Sequence, residues 1–334
     1  MYSIGLDVSK STISVHIPLT QLDIEIENNA VQVKGLYAKL KKLYKKEIDK
    51  VVFVYEPTGS YSALLDRFCN QKKIKVFQIN PKQSSNYAKA RGERNKTDRV
   101  DARMLSKAID IAKEDQVRVP AYNAVAEEIK ELMSYYRFTV KQRVKARNHL
   151  EALTAKEGST YAVKDLKKRI SIFKKQEKEI LDQISSVIAK DDALQKGFEN
   201  IKSIVGIGNV AAMALLHLFI CYENTNRAQV VSLAGLDPTE RRSGTSVRSR
   251  PKISKAGAKV YRGTLFMAAM VAIRYNEEMK SFFTRLKEAG KHTTVAQIAV
   301  MRKLLIIAHS LYKNDEVYNP EKYKMHSGQK EIAA

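Results

Sequence analysis

Tyr2-Ser3-Ile4-Gly5-Leu6-Asp7-Val8, Thr12-Ile13-Ser14-Val15-His16-Ile17 and Leu22-Asp23-Ile24-Glu25-Ile26-Glu27 follow one another within the first 27 residues, the first two runs split only by Ser9-Lys10-Ser11. β-branched residues in short closely spaced runs, the last alternating apolar with acidic, predict three consecutive strands in an antiparallel meander. A helix is expected over about 31–46. Val51-Val52-Phe53-Val54-Tyr55 is a nearly continuous apolar run of the kind buried on both faces. A helix near 61–71 and another strand over Ile74–Ile79 come next. A meander that gives way to alternating strand and helix predicts a mixed sheet covered by helices.

That order is the pattern of an α/β ribonuclease H-like domain, expected over residues 1–120, although a fold alone carries no activity. From about 123 the chain turns to long charged helix. Ile129, Leu132, Tyr136, Thr139, Arg143, Ala146, Leu150 and Leu153 recur in steps of three and four, as do Ile170, Phe173, Glu177, Ile180, Ile184 and Val187 after a break at Glu157-Gly158-Ser159. This predicts a coiled-coil hairpin over 121–195: a spacer or dimerisation arm, whose lysines also permit nucleic-acid contact. A mainly α-helical unit should span 196–315, followed by a polar, frayed tail over 316–334. Near its start, Ile204-Val205-Gly206-Ile207-Gly208 precedes the apolar run Val210–Phe219, the layout of a helix-hairpin-helix turn. Gly206 and Gly208 either free backbone amides for a phosphate at a helix N-terminus or serve turn geometry alone.

Among 334 residues, 59 Lys+Arg stand against 36 Asp+Glu, a formal charge of +23. Such a field recruits nucleic acid or an anionic membrane. No apolar run approaches the roughly 20 residues of a spanning helix, and the N-terminus lacks the layout of a signal peptide. We therefore expect no membrane partner and a cytoplasmic protein. Cys69 and Cys221 lie far apart without CxxC spacing, and the six histidines are scattered, so neither a disulfide framework nor a zinc site is indicated.

Four carboxylates stand out in this basic chain: Asp7 in the first strand, Glu56 at the end of the buried strand, and Asp98 with Asp101 where a helix begins. Residues i and i+3 share a helix face. If the first and fourth strands are neighbours, Asp7 and Glu56 lie side by side under that face. Clustered carboxylates repel unless cations hold them, and two Mg2+ ions, with Mn2+ able to substitute, would answer the repulsion and serve phosphoryl displacement. Taken singly, Asp98 and Asp101 also read as dipole-favoured helix residues and Asp7 as a turn residue. Lys96, Arg99 and Arg103 surround the Asp98 pair as a phosphate backbone would require, or as a solvated basic face.

A second basic cluster holds Arg241, Arg242, Ser243, Gly244, Ser246, Arg248, Ser249 and Arg250, with Lys252 and Lys255 behind. A hydroxyl among arginines can be a nucleophile toward phosphate. On the residues alone, a phosphate-binding loop with incidental serines is the plainer reading, and Ser246 and Ser249 compete with Ser243.

Gly5-Leu6-Asp7-Val8-Ser9-Lys10, Glu56-Pro57-Thr58-Gly59-Ser60-Tyr61, Lys96-Thr97-Asp98-Arg99-Val100-Asp101-Ala102 and Ala234-Gly235-Leu236-Asp237-Pro238 leading to Ser243-Gly244 together resemble the IS one-ten family of DEDD transposases, whose relatives include DNA invertases. The resemblance implies a RuvC-like N-terminal domain, a coiled-coil arm and a C-terminal transposase domain. It implies that Asp7, Glu56, Asp98 and Asp101 form a DEDD metal site and that Ser243 joins covalently to DNA. It further implies donor and target DNA, a structured bridge RNA, and a homo-oligomer (a dimer, a tetramer in the synaptic complex) in which the acidic site of one protomer meets the serine of another. Two other functions compete: a metal-only nuclease of the Holliday-junction-resolvase type and a non-catalytic nucleic-acid scaffold.

Overall fold

The computed structural model describes residues 1–92, 97–240 and 251–323, together with the backbone of 242–243 and 247–248. The chain divides into two units, Met1–Tyr122 and Asn123–Ala334.

In the first unit, β1 (Tyr2–Val8), β2 (Thr12–Ile17) and β3 (Leu22–Glu27) form the expected meander. α1 (Ala30–Tyr44) starts where the Asn29 side chain accepts the Gln32 amide, and buries Val33, Leu36, Leu40 and Tyr44 at helical spacing. β4 (Val51–Tyr55), α2 (Ala63–Lys72), β5 (Lys75–Gln78), α3 (Pro81–Ala90) and α4 (Asp98–Lys107) follow. The sheet order is β3-β2-β1-β4-β5, with β1 parallel to β4 and antiparallel to β2.

Strand alternation gives this sheet two unlike faces. One carries Ile4, Leu6 and Val8 of β1, Ile13, Val15 and Ile17 of β2, and Phe53 and Tyr55 of β4, packed with Val33, Leu36 and Leu65 in one apolar core. The other is apolar only over β4 and β5, where Val52, Val54 and Phe77 meet Leu105 and Ala108. Over β1 to β3 it carries the alternate residues, in two cross-strand rows. Gly5, His16 and Asp23 are aligned in one row, and Asp7, Ser14 and Glu25 in the next.

The second unit is mainly helical. α5 (Ala124–Ala155) and α6 (Thr160–Ile188) form the expected hairpin, broken at the expected place. Arg143 and Glu177, both at seam positions, form an ion pair at 2.6 Å. α7 (Asp192–Lys202), α8 (Asn209–Cys221) and α9 (Arg227–Leu233) lead to two short ribbons. β6 (Pro238–Thr239) pairs with β9 (Lys252–Ile253), and β7 (Arg242–Ser243) pairs with β8 (Val247–Arg248). α10 (Lys259–Tyr275), α11 (Glu277–Glu288) and α12 (Thr293–Asn314) close the unit.

α8 is buried around its whole circumference from Ala211 to Ile220, so the other helices assemble about it. Ile129, Met133, Ile180, Ile184 and Val187 from the hairpin base belong to the same core as Phe198, Leu215, Leu265 and Leu304. The hairpin is therefore rooted in this unit's core. Tyr318 and Tyr323, expected in a frayed tail, stack on each other and pack against that core.

One sequence expectation is corrected. α12 is long and apolar enough to cross a membrane, whereas the sequence alone suggests no such run. Interspersed Arg302, Lys303 and His309 hide the run from inspection. Val300, Leu304, Leu305 and Ala308 of this helix are buried in the core of the unit.

Candidate nucleic-acid processing site

The site begins with a glycine. A Cβ on Gly5 would fall 2.6 Å from the Ser106 amide nitrogen and closer still to the Ala102 carbonyl oxygen. α4 thus lies on β1 backbone to backbone, and only glycine admits the contact. The four acids lie on or directly after elements near this point: Asp7 on β1, Asp98 and Asp101 on α4, and Glu56 after β4. Asp101 immediately precedes Ala102, and Asp98 stands three residues before Asp101, about 4.5 Å along the axis. Asp7 lies two residues beyond Gly5 on the same strand face, about 6.6 Å away.

Glu56 joins them by register. Leu6 is paired with Tyr55 across the parallel β1–β4 ladder, so Asp7 and Glu56 occupy the next position on both strands. Val52 and Val54 face α4, and alternation puts Glu56 on that side as well. Both acids stand at the C-terminal ends of adjacent parallel strands, where open sheets bind ligands. The loops beyond them are tied together, since Asn28 Nδ2 donates to the Ser9 carbonyl at 2.8 Å and to the Tyr61 carbonyl at 3.0 Å. Thr97 caps α4, its hydroxyl accepting the Val100 amide at 3.3 Å.

Four carboxylates are a suitable donor set for a hard divalent cation. Two buried oxygens around the same loops, Asn28 Oδ1 and Thr58 Oγ1, have no hydrogen-bond partner among the described residues, which fits a place where a further polar group enters. Among the described residues, no three potential ligands already stand within reach of one ion. Asp98 is exposed and Glu56 half-buried, so their side chains have room to turn inward.

The expected phosphate-binding residues divide. Arg99, Lys252 and Lys255 are exposed. Lys96, Arg241, Arg250, Gly244, Ser246 and Ser249 lie outside the described residues. Arg103 is committed elsewhere: its Nε and Nη2 both donate to Asp23, which also binds His16 Nδ1 at 2.7 Å. The guanidinium holds the Asp23 carboxyl below the usual carboxylate range. Gly206, at φ 109°, has Ala272 against the place a Cβ would occupy, so packing accounts for it, whereas Gly208 opens onto free space at the start of α8.

Ser243 stands on the β7–β8 ribbon, its partner in register Val247. The root of this region is rigid. A Cβ on Gly257 would strike the Leu233 carbonyl, and Gly235, at φ 66°, passes beside Gly257. Arg262 Nη1 donates to the Ala234 carbonyl at 3.1 Å and the Gly257 carbonyl at 2.6 Å, and Arg302 Nε donates to the Leu236 carbonyl at 2.8 Å. Arg262 and Arg302 thus fix the segment that leads to the serine.

Sequence reasoning missed His16, Asp23, Asn28 and Arg302. The first two were within reach: His16 sits between Val15 and Ile17 and Asp23 between Leu22 and Ile24, so alternation alone sets both opposite the apolar core. Arg302, inside an apolar helix, gave no local signal.

Comparison with known proteins adds a second line of evidence. Residues 4–155 match a transposase family model, and residues 198–284 match the model described as the transposase IS116/IS110/IS902 family. The chain is 29% identical over 275 residues to the pilin gene-inverting protein of Moraxella bovis, covering 80% of this chain and 81% of that protein. It has the same identity and coverage with the pilin gene-inverting protein of Moraxella lacunata.

Proposed function

The chain belongs to the IS110 family of transposases and is a DNA recombinase, and from that premise we propose that it cuts and rejoins DNA with two cooperating groups. Asp7, Glu56, Asp98 and Asp101 would hold the Mg2+ ions, and Ser243 supplies the nucleophile. Divalent ions bound there would polarise the phosphate and stabilise the leaving oxygen. The serine hydroxyl attacks phosphorus, its proton passes to a base, and the P–O bond to the deoxyribose oxygen breaks. One strand end is left on the protein as a phosphoserine ester and the other as a free hydroxyl. Attack by a hydroxyl from the partner DNA reverses the step and reseals the strand.

The observation that carries this reading is the parallel β1–β4 register, which runs to Leu6 opposite Tyr55 and makes Asp7 and Glu56 the next residues along the two strands. The sheet order β3-β2-β1-β4-β5, with its antiparallel meander and parallel extension, supports a ribonuclease H-like, RuvC-like assignment. Arg99, Lys96, Arg241, Arg242, Arg248, Arg250, Lys252 and Lys255 contact phosphates of donor and target DNA and of a structured bridge RNA, and the chain acts as a homo-oligomer in the cytoplasm. The gene-inverting relatives favour inversion as one outcome of the same chemistry.

The test is denaturing electrophoresis of the protein with labelled DNA substrate. A protein–DNA adduct is expected from the parent and none from Ser243→Ala, while Asp7→Ala and Asp101→Ala abolish cleavage. Normal cleavage by Ser243→Ala with no adduct from the parent replaces this mechanism with that of a metal-only nuclease. An adduct retained by Ser243→Ala but lost in Ser246→Ala or Ser249→Ala moves the nucleophile.

A further inference from the structure

We infer that Arg103, Asp23 and His16 are positioning residues that set the acidic half of the site, and that Arg103 acts through Asp23 rather than on a phosphate. The inference rests on the reading of Asp7, Glu56, Asp98 and Asp101 as metal ligands.

Over β1 to β3 the sheet face under α4 is polar. Among the described residues, the apolar cluster that α4 joins lies over β4 and β5, through Leu105 and Ala108. At Gly5 backbone touches backbone, which fixes the height of the helix over β1. On the β3 side a polar tie holds it. The tie is the fork from Arg103 to both oxygens of Asp23, two strands away on β3. Asp23 is itself held from beneath by His16, whose ring is buried in the central strand of the meander. The three are stacked in one line: Gly5 is in register with His16, and His16 with Asp23.

Arg103 follows Ala102 directly and stands two residues from Asp101. One rigid turn of helix thus carries the contact on Gly5, the tie to Asp23 and a ligand, so a rotation permitted by loss of the tie is transmitted undiminished to Asp98 and Asp101. Outer partners that orient metal ligands typically contribute 10–100-fold to metal affinity. The exposed half of the Arg103 side chain leaves the pair open to water. An effect near 10-fold is the expectation.

The experiment measures Mn2+ binding by calorimetry on the full chain without DNA, alongside DNA binding by fluorescence anisotropy at several salt concentrations. Arg103→Ala and Asp23→Asn should each weaken Mn2+ binding by about 10-fold, the double variant should be no worse than either single one, and DNA affinity should stay within about twofold. Arg103→Lys, which retains one donor to Asp23, should recover part of the loss. Unchanged Mn2+ affinity in both single variants overturns the inference. So does weakened DNA binding in Arg103→Ala alone, with the log Kd against log salt slope reduced by about 0.9, the mark of a lost phosphate contact. Failure of the metal-site reading looks different: Asp7→Ala and Asp101→Ala would then bind Mn2+ like the parent. Arg103 is half exposed, so Arg103→Ala still reads out the inference if Asp23→Asn fails to fold.

Discussion

Replacing Gly5 by alanine is the sharpest perturbation of this site, because the added methyl group meets only backbone. Its carbon would fall 2.6 Å from the Ser106 nitrogen and 3.0 Å from the Ala102 carbonyl carbon, and nearer to the carbonyl oxygen. Carbon contacts normally settle near 3.5–4.0 Å, so α4 must lift by roughly 1 Å. Neither neighbour is a flexible side chain that could turn away. Lifting also parts Leu105 and Ala108 from Val52, Val54 and Phe77, and overpacking of this kind costs about 1–3 kcal/mol. In a unit of this size that is a fall in Tm of roughly 5–15 °C. The larger effect falls on chemistry: Asp98 and Asp101 ride on the lifted helix while Asp7 stays on β1, and misplacement of about 1 Å can cost about 100-fold in rate. The assay pairs a thermal melt with single-turnover DNA cleavage at saturating Mg2+. A Gly5→Ala protein that melts and cleaves like the parent would refute the account of α4 seated directly on β1.

Three further outcomes are expected. Arg143→Ala and Glu177→Ala should each lower stability by about 1–2 kcal/mol in chemical denaturation, because either leaves a partly buried charge alone, while the double replacement Arg143→Met with Glu177→Leu should restore it. Burial lowers the pKa of His217 to about 4, so the folded protein keeps it neutral while the unfolded chain takes up a proton below about 6.5. Stability from this group is therefore present above pH 6.5 and lost as the pH falls toward 4, at up to about 1.4 kcal/mol per pH unit. His217→Gln should flatten that part of the pH–Tm curve, and an unchanged slope would contradict the assignment. Gly206→Ala should destabilise the second unit by about 2 kcal/mol or more, since the methyl meets Ala272 and the backbone sits at φ 109°; a neutral effect in a denaturant melt would point to a role other than packing.

Much of this architecture is legible in the sequence because it rests on periodicity. The meander, the buried β4, the hairpin break at Gly158 and even the pairing of Arg143 with Glu177 on one seam follow from steps of two, three or four residues. Asp7 and Glu56 were visible because carboxylates at apolar strand positions are costly without a partner, and Asp98 with Asp101 because residues three apart share a helix face. What remained hidden depends on register between strands. Nothing local in Asp23 says that it faces His16, or that a helix eighty residues later sends Arg103 to it. The same limit leaves Arg103 open in sequence, because a cation beside acidic residues looks alike whether it binds substrate or scaffold. α12 escaped for the opposite reason: charged residues interrupt a run that its fold nonetheless buries.

The crossing of Gly235 and Gly257 bears on how such an enzyme could be re-engineered. Two chain segments meet there without side chains between them, and Arg262 and Arg302 fasten the surrounding carbonyls, so the ribbon beyond hangs from a fixed hinge pin. The two glycines and the two arginines at this root therefore have to be kept together in any chimera that joins this part of the chain to a relative's.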